Sequence, residues 1–119
     1  MAKPDHIPDP AVVAAFDRMI AGVPGVARKG ETLPYVSING NMYASISKAN
    51  IIGLRLSEAD LAEFLNAHGT QLFEGVPGHF LEEYAAIPAS MLGDSEFLQR
   101  WFRRSHADAS ALKPKKTTR

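Results

Sequence analysis

Asn39-Gly40 stands between two short apolar runs, 35–38 and 42–46, and no other pair of residues restricts the fold as much. Both residues accept the positive φ angles of a type I′ turn, whose twist matches that of paired antiparallel strands. The dipeptide therefore predicts a tight hairpin and, with it, a sheet. Lys48-Ala49-Asn50 supplies a second turn. Beyond it, a third strand is predicted with Ile52, Leu54 and Leu56 on its core face and Ile51, Gly53 and Arg55 on the other.

Around this meander the apolar period changes from two to between three and four. Asp9 is placed as an N-cap with Pro10 in the first turn, and Val12, Val13, Phe16, Met19 and Ile20 predict an apolar helix face that Gly22, Pro24 and Gly25 bring to an end. Residues 26–33 read as a weak edge strand or loop. Ser57 opens a second helix as its cap, with Asp60 where a capping box has Glu, an apolar stripe of Leu61, Phe64 and Leu65, and Gly69 as a stop. A short strand at 71–73, a turn at 76–78 and a last strand over 80–87 follow. Asp94 caps the final helix, which sets Phe97, Leu98, Trp101 and Phe102 on one side and Arg100, Arg103 and Arg104 on the other. The expected fold is α+β in two layers: an antiparallel sheet with helices packed on one face, in the order α-β-β-β-α-β-β-α.

With 119 residues there is enough chain for one hydrophobic core. The expected organisation is an irregular lead over 1–9, a single domain over 10–112 and a basic, mobile tail over 113–119. A hydrophobic share of 45% beside a charged share of 22% excludes a disordered, collagenous or coiled-coil chain. The absence of cysteine excludes a disulfide framework and a thiolate metal site. No stretch approaches the roughly 20 apolar residues of a membrane span, and the start lacks a signal-peptide core, so a cytoplasmic protein is expected.

Charge is divided unevenly along the chain. Residues 1–99 carry six Lys or Arg against twelve Asp or Glu, and residues 100–119 carry seven basic residues against Asp108 alone. Arg100, Arg103, Arg104, Lys113, Lys115 and Lys116 thus offer a contact for nucleic acid or an acidic partner, or form a solvated helix face and tail. His6, His68, His79 and His106 lie in separate segments without ligand spacing, and no GxSxG, Walker or GxGxxG pattern occurs. Glu82 and Glu83, as neighbours on a strand, point to opposite faces and share no site. Phe97 and Trp101 are core residues, or an interface if the last helix leaves them open. These residues assign no catalytic group, no cofactor and no metal.

Several pieces in order carry a resemblance: Ile38-Asn39-Gly40-Asn41-Met42-Tyr43-Ala44, then Gly53-Leu54-Arg55-Leu56-Ser57, then Gly69 with Phe73-Glu74, Pro77-Gly78, Tyr84 and Ile87-Pro88, and finally Leu98-Gln99-Arg100-Trp101 before Leu112-Lys113-Pro114-Lys115. Over residues 10–115 the chain resembles the N-terminal domain family of the TfoX/Sxy competence regulators. That resemblance implies the α-β-β-β-α-β-β-α order already read from the residues. It also implies a role in regulating transcription of DNA-uptake genes with a cyclic-AMP receptor protein. The chain departs from the family after Arg28-Lys29, where Gly30-Glu31-Thr32-Leu33-Pro34 replaces an aromatic and glycines, and at Gln71, where an arginine is usual. The resulting expectation is a non-enzymatic regulatory or adaptor domain that works by protein–protein contact as a homodimer. Direct, non-specific nucleic-acid binding through the basic end is the alternative. A small-molecule enzyme or ligand-binding domain using His79 and Glu82 is a third reading.

Overall fold

Asn39 and Gly40 both take positive φ, 52° and 81°, and close the hairpin their sequence calls for. A computed structural model describes residues 9–30, 34–68, 72–76 and 78–112 of the chain. Of the expected lead over 1–9, residues 1–8 lie outside the described residues, as does the basic tail over 113–119. The elements are α1 (Pro10–Ile20), β1 (Tyr35–Ile38), β2 (Asn41–Ile46), β3 (Ile52–Arg55), α2 (Glu58–His68), β4 (Leu72–Val76), β5 (His79–Ala86), a 3₁₀ turn (Ala89–Met91) and α3 (Ser95–Ser110). This is the expected α-β-β-β-α-β-β-α order. The segment 26–30 meets the sheet at one bridge, Lys29 with Tyr35. No described helix is long and apolar enough to cross a membrane.

The five strands form one antiparallel sheet in the order β1-β2-β3-β5-β4. Because β5 lies between β3 and β4, α2 carries the chain past one strand position and the β4–β5 hairpin fills the gap. Register places Val36, Ala44, Leu54 and Ala85 in one row across four strands, all buried beneath the helices. The next row, Tyr35, Ser45, Gly53 and Ala86, points the other way.

Two irregularities break the alternation. In β2, Val36 is opposite Ala44 while Ser37 is opposite Met42, so Tyr43 is an extra residue. Such a bulge lets Tyr43 and Ala44 both join the helix-side core while Met42 stays on the other face. In β5, Leu72 is opposite Ala85 and Phe73 opposite Leu81, leaving residues 82–84 bowed out of the β4 ladder. Leu81 then packs with Tyr84 on one face, although the two stand three positions apart in the chain.

Each helix lies on the sheet by the face its sequence predicts. α1 buries Val12, Ala15, Phe16, Met19 and Ile20, and α3 buries Phe97, Leu98, Trp101, Phe102, Ser105 and Ala109. The caps are in place: the Asp9 carboxylate accepts from the Ala11 amide at 2.9 Å, and that of Asp94 from the Phe97 amide at 3.0 Å. At the α1–α3 contact the Gln99 amide donates to the Arg18 carbonyl at 2.8 Å, and Gly22 admits Gln99 because a Cβ there would stand 2.9 Å from the Gln99 Cβ. Among the described residues, the core on the opposite face of the sheet is built from strands: Phe73, Tyr84 and Ala86, with Met42 and Leu81 half-buried beside them. Here the Phe73 ring lies over Gly53, and the Tyr84 hydroxyl reaches across β3 to the Met42 carbonyl at 2.6 Å.

Candidate functional site

Where β3 runs into α2, the chain meets the last turns of α3 and the bowed segment of β5. These three elements enclose a cleft of about 550 Å³. Its floor is apolar, from Leu56, Leu61, Ala109 and Leu112, and its wall carries Glu58, Glu82, Glu83 and Asp108. Glu82 and Glu83 therefore do reach one site. The bow in β5 removes the strict two-residue period that would send them to opposite faces.

Arg55, Glu83 and Asp108 in the wall are each held by a partner. Arg55, half-buried on β3, donates to Glu83 at 2.6 Å and is the cleft's one cation among the described residues. Asp108 accepts the Ser57 backbone N–H at 2.9 Å, while the Ser57 hydroxyl accepts the Asp60 N–H at 3.3 Å. The N-terminus of α2 is thus capped by a reciprocal pair whose second member comes from α3. The shorter Asp60 carboxylate turns instead to Arg104 at 2.6 Å. Burial pushes the Asp108 carboxyl above its usual range and the nearby Asp60 carboxylate adds to this, against the pull of the Ser57 N–H.

Arg104 ties the helices together. Its guanidinium meets Glu63 at 2.9 and 3.1 Å as well as Asp60, and its carbon stands 4.3 Å from the centre of the Trp101 ring. It holds the Glu63 carboxyl below the ordinary range. Trp101 is 5% exposed and meets Phe64 edge to face at 4.8 Å, with Phe97 and His68 completing the aromatic cluster. Phe97 and Trp101 thus pack inside the chain, between α2 and α3. Of the remaining basic candidates, Arg100 and Arg103 are exposed on α3, and Lys113, Lys115 and Lys116 lie outside the described residues. The structure separates Arg104 from any continuous basic stripe, because two carboxylates occupy it.

A second polar cluster lies under α3. The Ser105 hydroxyl is 2.6 Å from the Arg55 carbonyl and 3.3 Å from that of Tyr43. Tyr43, turned inward by the bulge, pairs with His106 Nδ1 at 2.8 Å, and burial raises its phenol to about 12. Among the described residues no group of three or more His, Asp or Glu side chains is placed to hold a metal ion. Glu82 lines the cleft, and the side chain of His79 lies outside the described residues.

Sequence reasoning passes over Asp108, Tyr43 and Ser105. One signal marks Asp108: it is the single acid among the last twenty residues, four positions after Arg104 on the same helix. Comparison with protein-family models, with curated proteins and with solved structures finds no match for this chain.

Proposed function

We propose that the chain is a non-enzymatic regulatory or adaptor domain of the TfoX N-terminal type, working in the cytoplasm through protein–protein contact and pairing with a second copy of itself. The observation that carries this reading is the side of the sheet that none of the described helices covers. Helices take one face, and the other has an apolar patch built from strand residues, with Met42 and Leu81 half-buried. Its central row, Tyr35, Ser45, Gly53 and Ala86, has no charge. Arg55, opposite Tyr84 on this side, is matched by Glu83. A largely apolar face of this kind suits the same face of a second copy, since a two-fold contact then sets a patch against itself without opposing unmatched like charges.

The charges further support contact with protein over contact with nucleic acid. Among the described residues, Arg104 is engaged by Asp60 and Glu63, and Arg55 by Glu83, leaving Arg100 and Arg103 on α3 without a dense basic stripe. Replacing Met42 by Glu tests the reading. Sedimentation of the variant should give a folded monomer whose melting temperature is somewhat lowered, since this half-buried side chain packs beside Phe73 and Tyr84 while its carbonyl still accepts from Tyr84. A variant that sediments as the wild type does would place the contact elsewhere or remove it.

A further inference from the structure

We infer that the cleft between the start of α2, the bowed part of β5 and the end of α3 is a docking site for an extended, lysine- or arginine-bearing segment of a partner protein. The inference rests on the contact role proposed above and names the kind of partner. Two features of the cleft select that chemistry. The floor offers Leu56, Leu61, Ala109 and Leu112 to aliphatic chain, and the wall carries Glu58, Glu82 and Asp108 beyond the matched Arg55–Glu83 pair, an excess of negative charge. A lysine or arginine side chain has this same division, an apolar stem with a cationic head.

The volume separates a chain segment from a lone amine. About 550 Å³ lies in the range of sites that bury several side groups, far more than one butylammonium stem would fill. Glu58 on α2, Glu82 on β5 and Asp108 on α3 stand around the mouth, so cations on alternate residues of an extended strand would meet them in turn. An acidic or neutral segment would leave the wall charges desolvated without a partner.

The probe is a fluorescein-labelled hexapeptide of alternating Lys and Leu, titrated with the full chain and followed by anisotropy, beside the same peptide with Glu for Lys. The Lys peptide should bind and weaken as salt rises from low to physiological strength, and the Glu peptide should not bind. Glu58 and Glu82 are exposed and take no structural bond described above, so Glu58→Gln with Glu82→Gln should keep the wild-type melting temperature. This double variant should raise Kd about three- to tenfold, as expected for two rim charges. Equal binding of both peptides, or an unchanged Kd in the double variant, overturns the inference. So does displacement of the peptide by butylammonium at equal affinity, which would make the cleft a small-amine site. Replacing Lys113, Lys115 and Lys116 by Gln should leave Kd unchanged; tighter binding would mean that the chain's own tail fills the cleft and would overturn the assignment to a partner. Because Met42 lies on the opposite face, the Met42→Glu monomer should still bind the peptide, and so the two proposals fail separately.

Discussion

Gly53→Ala is the smallest change that should strain this fold. Gly53 sits in the middle of β3, paired with Ser45 on one side and Ala86 on the other, and the Phe73 ring lies flat over it. A Cβ at this position would stand 2.4 Å from the Phe73 Cγ and 2.5 and 2.6 Å from its two Cδ atoms. Carbon atoms in contact settle at about 3.5–4.0 Å, so the ring must withdraw by roughly 1 Å or more. It cannot simply slide along the sheet, because Tyr84 stands beside it with ring centres 6.0 Å apart and is tethered to the Met42 carbonyl. Overpacking of this kind costs about 1–3 kcal/mol. Phe73→Ala alone should cost about 3–5 kcal/mol, since Phe73 is 1% exposed. In the double variant the new methyl occupies space the ring has left, so the combined loss should fall short of the sum by on the order of 1–2 kcal/mol. Guanidinium denaturation followed by circular dichroism and Trp101 fluorescence measures all four corners of the cycle. A Gly53→Ala variant as stable as the wild type, or strict additivity, would refute the ring-over-glycine account.

Other expectations follow from the buried aromatics and the caps. Trp101→Ala should cost about 3–5 kcal/mol and leave a poorly folded chain, because the indole fills the joint between α2 and α3; a variant that keeps its melting temperature contradicts that packing. Ser57→Ala should cost about 1 kcal/mol in chemical denaturation through loss of the Asp60 cap bond, and a neutral result would mean that Asp108 alone sustains the start of α2. Tyr43 and Tyr84 hold their protons to about 12 in the folded chain, both chiefly through burial, against an unfolded value of 10.0. A pKa raised by folding stabilises the protein fully below the unfolded value. That stabilisation should therefore fade as pH rises from 10 to 12, by on the order of 2–3 kcal/mol at most for each tyrosine. Ultraviolet titration beside alkaline denaturation reads this directly, and two tyrosines ionising near 10 without loss of structure would contradict their burial.

The parts of the fold that local chemistry dictates are legible in the sequence. Asn39-Gly40 forces its turn, Asp9 and Asp94 cap their helices, and the three-and-four spacing of Phe97, Leu98, Trp101 and Phe102 sets the buried face of α3. What depends on pairing between distant segments is not. The bulge at Tyr43 follows from how β1 meets β2, and the bow at 82–84 from how β4 meets β5, so a two-residue period misplaces both. For the same reason Glu82 and Glu83 read as a pair facing opposite ways, and the cleft that gathers them with Asp108 stays hidden: its members come from three separate segments, the outer two of them, at Ser57 and Asp108, 51 residues apart. The Arg104 charge, counted in sequence as part of a basic face, turns out to be matched by two carboxylates on α2.

The central claim is that this domain acts by contact and that its first partner is itself. Light scattering on the eluting protein, from low to high micromolar concentration, tests it most directly. The account predicts a mass that rises towards twice the 12.9 kDa of the chain as concentration increases. A mass fixed at 12.9 kDa over the whole range would contradict it.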